Sequence, residues 1–154
     1  MEGVLEAVEA LAPVAWVRTS RWGYAALNAT HILAIALLVG AMVPLNLVRL
    51  GLVRASHAHA AQLLTPFAAA GLALAILTGG ALFAVRASEY AALTVVQAKL
   101  ALVAVGALSA VSLHLAYGAS IERASPTRRA AHAGASLLLW LAVLALGRLI
   151  AFAG

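Results

Sequence analysis

The sequence predicts an all-α integral membrane protein, an up-down-up-down four-helix bundle with a short N-terminal interfacial helix. Hydrophobic residues make up 65% of the 154 residues and charged residues only 10%, whereas soluble domains contain about 25% charged residues. Four apolar stretches are each long enough to cross a hydrocarbon core, which requires about 20 residues per helix. Their connections are short, so sequential spans must run antiparallel within a single transmembrane domain, residues 1–154.

The first predicted element is an interfacial helix over about residues 3–17. Three glutamates in the first nine residues lie opposite apolar residues that recur at helical spacing, which is typical of a helix lying on a membrane surface. Trp16 and Trp22 are suited to anchor this segment at the interface. Because the start of the chain is acidic, we expect no cleavable signal peptide.

Four spans follow, at residues 24–47, 60–85, 90–117 and 133–152. Five arginines lie in the first and third connections and four on the opposite side, where glutamates dilute them, so the difference is modest. The basic residues of those two connections are Arg49, Arg54, Arg123, Arg128 and Arg129. This distribution favours both termini on the periplasmic side of a bacterial inner membrane. The basic residues therefore flank the lipid bilayer, and no nucleic-acid partner is expected.

Several classes of chemistry are excluded by residue types that are absent or scarce. The chain has no cysteine, which excludes disulfides, iron–sulfur clusters and thiolate metal sites. It has two methionines, too few for a copper path built on sulfur ligands. It has no aspartate, and no glutamate lies inside a span, so the carboxylate that membrane ion transport normally requires is missing.

His31 and Lys99 are ionisable residues inside apolar runs, where such residues are costly and usually functional. Counting 1.5 Å per residue places His31 about 10 Å and Lys99 about 12 Å from the outer boundary, meaning the side that holds the termini. Arg148 lies slightly nearer that boundary. These three residues, with Asn28 and Thr78, form a predicted outer polar belt. An inner belt contains the other four histidines, His57, His59, His114 and His132.

Small residues lie on helix faces beside the outer belt. At 100° per residue, Gly106 and Ala110 share a face with Lys99. Gly71, Ala75 and Gly79 form a second column, with Thr78 beside it. Such columns permit either close helix packing or room for a flat ligand.

A b-type haem in a helical bundle needs axial nitrogen ligands, an apolar slot and cations near its propionates. We expect His31 to bind the metal, with Arg148 or Arg86 near the propionates. Lys99 would be the second ligand if its amine is neutral, and otherwise a catalytic proton donor or charge partner.

Other sites for a cofactor remain open. The rival haem site is the inner belt, where His114 would bind the metal together with His57 or His132. A quinone would instead accept hydrogen bonds from His31 and Lys99 as its carbonyl gains negative charge.

Structural roles are the alternative for the same residues. The long side chains of Lys99 and Arg148 can extend to the interface. A membrane histidine such as His31 is often hydrogen-bonded to a neighbouring helix.

Nearly the whole chain resembles an uncharacterised family of small four-helix bacterial membrane proteins, a domain of unknown function. The matching segments are RTSRWGYAALNATHILAIALLVGAMVPLNLVRLG, LLTPFAAAGLALAILTGGALF, QAKLALV and SLLLWLAVLALGRLIAFAG. Where that family's pattern resembles DLRLLG, this chain has Asn46 in place of the acid. Any role of that acid is therefore missing here.

The chain more distantly resembles two families whose functions are described. A first-span His and a third-span Lys resemble the four-helix protoporphyrinogen oxidases, haem-b proteins that use such a pair, and the matching positions here are His31 and Lys99. The chain also resembles the membrane domain of copper-resistance D proteins, although its few sulfur ligands weaken a copper role.

These observations predict a membrane b-type haem protein that transfers electrons to or from the quinone pool, with a partner subunit or as a homo-oligomer. One alternative is an enzyme, a haem-dependent porphyrinogen oxidase. Another is a structural or assembly subunit without a cofactor, whose histidines bond neighbouring helices.

Overall fold

The computed structural model describes residues 2–117 and 124–152. Seven helices are present in this part of the chain, and it contains no strand. They are α1 (Glu2–Glu9), α2 (Ala12–Thr19), α3 (Arg21–Arg49), α4 (His57–Val85), α5 (Ala87–Ala92), α6 (Thr94–Tyr117) and α7 (Pro126–Leu149), followed by a 3-10 turn at Ile150–Phe152. The all-α class is confirmed. Arg123, which entered the charge distribution above, lies outside the described residues.

Four of these helices are long and apolar enough to cross a membrane, as predicted. They are α3, α4, α6 and α7. Large apolar side chains on their outer surfaces are exposed, among them Leu77, Leu115 and Leu138, each more than 70% exposed. An exposed apolar surface of this kind is suited to contact with lipid.

The N-terminal segment forms two helices where the sequence predicted one. Pro13 lies in the first turn of α2, where it lacks an N–H and its ring would collide with the carbonyl of Glu9 in a continuous helix. The break lets the segment fold back, so that α1 contacts α5 and α2 contacts both α3 and α4. Trp16 packs on Gly23 at the start of α3, where a Cβ would lie 2.9 Å from its ring.

Helix α6 begins four residues after the start of the predicted third span, at Thr94. Helix α7 begins seven residues before the start of the predicted fourth span, at Pro126. Residues 87–92 form the separate helix α5, because Leu93 is extended (φ −81°, ψ 118°) and interrupts the helix. Lys99 therefore lies five residues into α6, about 7.5 Å along its axis. The fourth helix starts at Pro126, where the Ser125 side chain accepts a hydrogen bond from the backbone N–H of Arg128.

Helices α3 and α4 form the most extensive helix pair in the molecule. Their backbones touch at Gly71, where a Cβ would lie only 2.5 Å from the backbone nitrogen of Leu38. Ala34, one turn away on α3, is fully buried. These contacts pair the middle of α3 with the middle of α4.

Helix α7 lies between the pair of α3 and α4 and helix α6, because it contacts both α3 and α6. Its Trp140 is buried with Leu38 and Met42 of α3 in the apolar core. The space over Gly106 of α6 is filled by Trp140 and Leu139, which would lie within 2.9 Å of a Cβ there. By contrast, α4 and α6 make at most marginal contact along their described lengths.

Candidate functional site

A histidine and a threonine join the two most closely packed helices. The Nδ1 atom of His31 on α3 lies 2.8 Å from the hydroxyl oxygen of Thr78 on α4. Thr78 is buried and His31 is half-buried. Gly79 leaves room for the imidazole, because a Cβ at this position would lie 3.0 Å from the His31 Cε1 atom.

The hydroxyl of Thr78 determines which nitrogen of His31 carries the proton. Its single hydrogen is donated to the backbone carbonyl of Leu74 at 2.6 Å. The hydroxyl can therefore only accept from the imidazole, so the His31 Nδ1–H donates. In the neutral ring the Nε2 atom then keeps its lone pair, which is the arrangement of a metal-binding or proton-accepting histidine.

Lys99 approaches this histidine from α6. It is close enough to His31 to act on it electrostatically. The amine also lies over Gly147 of α7, where a Cβ would be 3.2 Å from Nζ. His31, Thr78, Lys99 and Gly147 thus come from four different spans and form one level of the structure, which we call the outer polar layer.

The other residues of the predicted outer belt point elsewhere. Arg148 is exposed, and its guanidinium stacks on the ring of Phe152 at 4.9 Å. Asn28 is exposed on α3. Neither residue is buried in the outer polar layer with Lys99.

Two of the four inner histidines are more exposed than His31 and Lys99. His114 and His59 are exposed, whereas His57 and His132 are half-buried. Within residues 2–117 and 124–152, no three His, Asp or Glu side chains come together as a metal site. An inner haem held by His114 with His57 or His132 would need only two of these side chains and stays a prediction.

One glycine of each small-residue column is used for close packing. Gly71 is in contact with the backbone of α3, and Gly106 is covered by Trp140 and Leu139. A flat ring therefore cannot occupy the middle of the molecule without displacing this core. At the outer polar layer the donor set fits one axial haem ligand, the Nε2 atom of His31, with a cation beside it.

Asn46 is a buried polar residue whose role the sequence did not indicate. It is 2% exposed, and its amide Nδ2 donates to Ser136 of α7 at 3.2 Å and to the Met42 sulfur at 2.8 Å. A polar residue so deep in an apolar run is itself a signal of an interhelical hydrogen bond.

Comparisons with protein families, curated proteins and solved structures find no match for this chain. The resemblances to the uncharacterised four-helix family, the protoporphyrinogen oxidases and the copper-resistance D domain therefore stay predictions. A function must be inferred from the chemistry of the chain's own residues, above all His31 and Lys99.

Proposed function

We propose that this chain is a membrane b-type haem protein that exchanges electrons with the quinone pool, and that His31 is the axial ligand. The proposal rests on the hydrogen bond from the His31 Nδ1–H to Thr78. This bond leaves the lone pair of Nε2 available to bind iron. Metal-binding histidines typically donate their other N–H in this way, which fixes the ring and its tautomer. A bound haem would supply one-electron transfer.

The residues of the outer polar layer have distinct roles in this proposal. Thr78 orients the imidazole, and Gly79 makes room for it against α4. Lys99 supplies positive charge and hydrogen-bond donors near His31. Because the Nδ1–H of His31 is already bonded to Thr78, Lys99 is the better donor to a quinone oxygen. The marginal contact between α4 and α6 favours entry of a quinone from the bilayer between them.

The membrane arrangement belongs to the same proposal. We infer an up-down-up-down bundle in a bacterial inner membrane, with both termini in the periplasm. The distribution of arginines supports this orientation. Two pairs of contacts support successive spans that run in opposite directions. Along α4, Gly71 meets Leu38 and Gly79 meets the earlier residue His31 of α3; along α7, Trp140 meets Gly106 and Gly147 meets the earlier residue Lys99 of α6.

The proposal is tested by absorption spectroscopy of the full chain purified after expression with ample haem. We expect a Soret band in the wild type and in the His114→Ala variant, and its loss in His31→Ala. Lys99→Gln should retain the haem but change its spectrum or reduction potential, because a nearby cation is removed. A colourless wild-type protein, or loss of the band only in His114→Ala, would contradict His31 as the ligand.

A structural subunit without a cofactor is the second candidate. The hydrogen bond between His31 and Thr78 and the position of Lys99 over Gly147 are complete helix-to-helix contacts without any ligand. This candidate predicts a colourless protein that still assembles with its partner when His31→Gln and Lys99→Gln are combined. Loss of partner activity with assembly intact would contradict it.

A further inference from the structure

A polar cavity of about 370 Å³ opens at the outer end of the molecule, where α3 begins and α4 ends. It is lined by Arg18 of α2, Tyr24 of α3, Val85 and Arg86 at the end of α4, and Tyr90 of α5. The N-terminal helices therefore contribute to it directly. Its volume is within the range of small-ligand sites.

The two arginines are only loosely held by their acidic neighbours. Arg18 lies 3.9 Å from Glu9, whose carboxylate also accepts a 2.7 Å hydrogen bond from the backbone N–H of Ser88. Arg86 lies 3.3 Å from Glu89, and both side chains are at least half exposed. Ion pairs at the surface hold their partners weakly. Each guanidinium has five N–H donors, so both can bind an anion while keeping these partners.

The two tyrosines add neutral donors to the cavity. Burial, and next the neighbouring Tyr24 phenol, raise the pKa of Tyr90 above its ordinary value of 10.0. The Tyr90 hydroxyl therefore keeps its proton at physiological pH. A site with two guanidinium groups and two phenol hydroxyls is rich in donors and suited to an anion with several oxygen atoms.

The position of the cavity relates it to the membrane surface. Tyr24 precedes His31 by seven residues, and Val85 follows Thr78 by seven. Seven residues are two helical turns, so the cavity lies about 10 Å beyond the outer polar layer on the same helix faces. Trp22, which is 80% exposed, begins the same helix as Tyr24 and is typical of the membrane interface. We therefore expect lipid phosphates at the level of the cavity.

We propose that the cavity lined by Arg18, Tyr24, Val85, Arg86 and Tyr90 binds a phosphate group, carried by a phospholipid or present as free phosphate. Arg18 and Arg86 contact the phosphate oxygens. Tyr24 and Tyr90 are hydrogen-bonded to each other, so one hydroxyl donates to the other and the second donates to the phosphate. This site requires no haem and stands apart from the function proposed for His31. It links the N-terminal helices to the membrane surface through the ligand.

The test uses the full chain, purified in a phosphate-free maltoside detergent. Phosphatidylglycerol is titrated in one arm and inorganic phosphate in the other, and the apparent Kd is taken from the rise in Tm and from adducts in native mass spectrometry. We expect one of the two ligands to bind the wild type, and the arm that binds identifies the source. The combined Arg18→Gln and Arg86→Gln changes should weaken binding at least about tenfold, because charge-assisted hydrogen bonds are lost.

Arg21→Gln is the matched control. Arg21 is an exposed arginine on the same side of the molecule, it stacks on Trp22 at 5.9 Å, and it does not line the cavity. Its variant should bind as the wild type does. If the double glutamine variant does not fold, the Arg18→Lys and Arg86→Lys combination keeps both charges and should show a smaller loss of affinity. Absence of binding in the wild type, equal binding in the arginine variants, or equal loss in Arg21→Gln would overturn the proposal.

Discussion

The hydroxyl of Thr78 has two partners, and Thr78 itself is buried between α3 and α4. It accepts from His31 of α3 and donates to the carbonyl of Leu74 on its own helix. A hydrogen bond to a neighbouring helix contributes about 1 kcal/mol in a membrane protein. This one also fixes the tautomer of His31, so its loss changes chemistry as well as stability.

Replacing Thr78 with valine removes the acceptor for the His31 N–H while conserving shape. We expect the free energy of unfolding to fall by about 1 kcal/mol, measured by unfolding in mixed micelles. Thr65→Val is the matched control, because the Thr65 hydroxyl is buried without a hydrogen-bond partner and its removal should not destabilise the protein. Equal losses in the two variants would show that the bond to His31 contributes nothing specific.

Glu9 makes the attachment of the N-terminal helix dependent on pH. The N–H of Ser88, and to a smaller extent Arg18, hold the pKa of this carboxyl below its ordinary value of 4.5. Because the pKa is lowered by folding, the stabilisation is complete above pH 4.5 and is lost as the pH falls through the folded-state value. We therefore expect the Tm of the wild type to fall on acidification through this range.

Glu9→Gln should remove this part of the pH dependence and lower the Tm at neutral pH. Glu6→Gln is the control, since Glu6 is an exposed glutamate on the same helix, and it should behave as the wild type. The measurement is a series of thermal unfolding curves between neutral and acidic pH. Identical pH profiles for Glu9→Gln and the wild type would contradict a role for Glu9 in attaching α1 to α5.

At the scale of helices, contact between α3 and α4 depends on glycine at one position. A Cβ at Gly71 would lie 2.5 Å from a backbone atom of Leu38, and backbone cannot move aside as a side chain can. Gly71→Ala must separate the helices and should lower the free energy of unfolding by about 1 to 3 kcal/mol. Gly80→Ala, on the same helix, meets nothing within 4 Å and should be neutral. Equal stability of the two variants would contradict this packing.

The lengths of the helices were predictable, because about 20 consecutive apolar residues have few other stable structures in a membrane. The ends were less predictable. The break at Leu93 follows no glycine or proline, so hydropathy continued the third span back to Tyr90. Pro13 did carry a signal for the break between α1 and α2, since proline is favoured in the first turn of a helix and destabilises the interior. The signal is not decisive, because Pro44 and Pro66 lie inside α3 and α4.

At the scale of the whole molecule, the sequence identified which polar residues are unusual but not what they touch. His31 and Lys99 stood out because ionisable groups are costly in a membrane. The bond from His31 to Thr78 depends on the register between two helices, and apolar spans that carry few polar residues fix register mainly through packing. For the same reason, the sequence could not show that Trp140 fills the space over Gly106.

The proposed orientation predicts that the N-terminus faces the periplasm and that the connection between α3 and α4 faces the cytoplasm. The protein has no cysteine, so a single introduced thiol is unique. Gly3→Cys should react with a membrane-impermeant maleimide in intact spheroplasts, whereas Ala55→Cys, in the connection between α3 and α4, should react only after lysis. Both positions are exposed, which makes them matched controls for each other. The reverse labelling pattern would place the termini in the cytoplasm.

The central claim is that His31 holds a haem through its Nε2 atom, and the most direct test is the absorption spectrum of the purified chain beside its His31→Ala and His114→Ala variants. All three are expressed with ample haem, and their insertion in the membrane is verified. The account predicts a Soret band in the wild type and in His114→Ala, and none in His31→Ala. A wild-type protein without a Soret band, or a band that His31→Ala leaves unchanged, would contradict it.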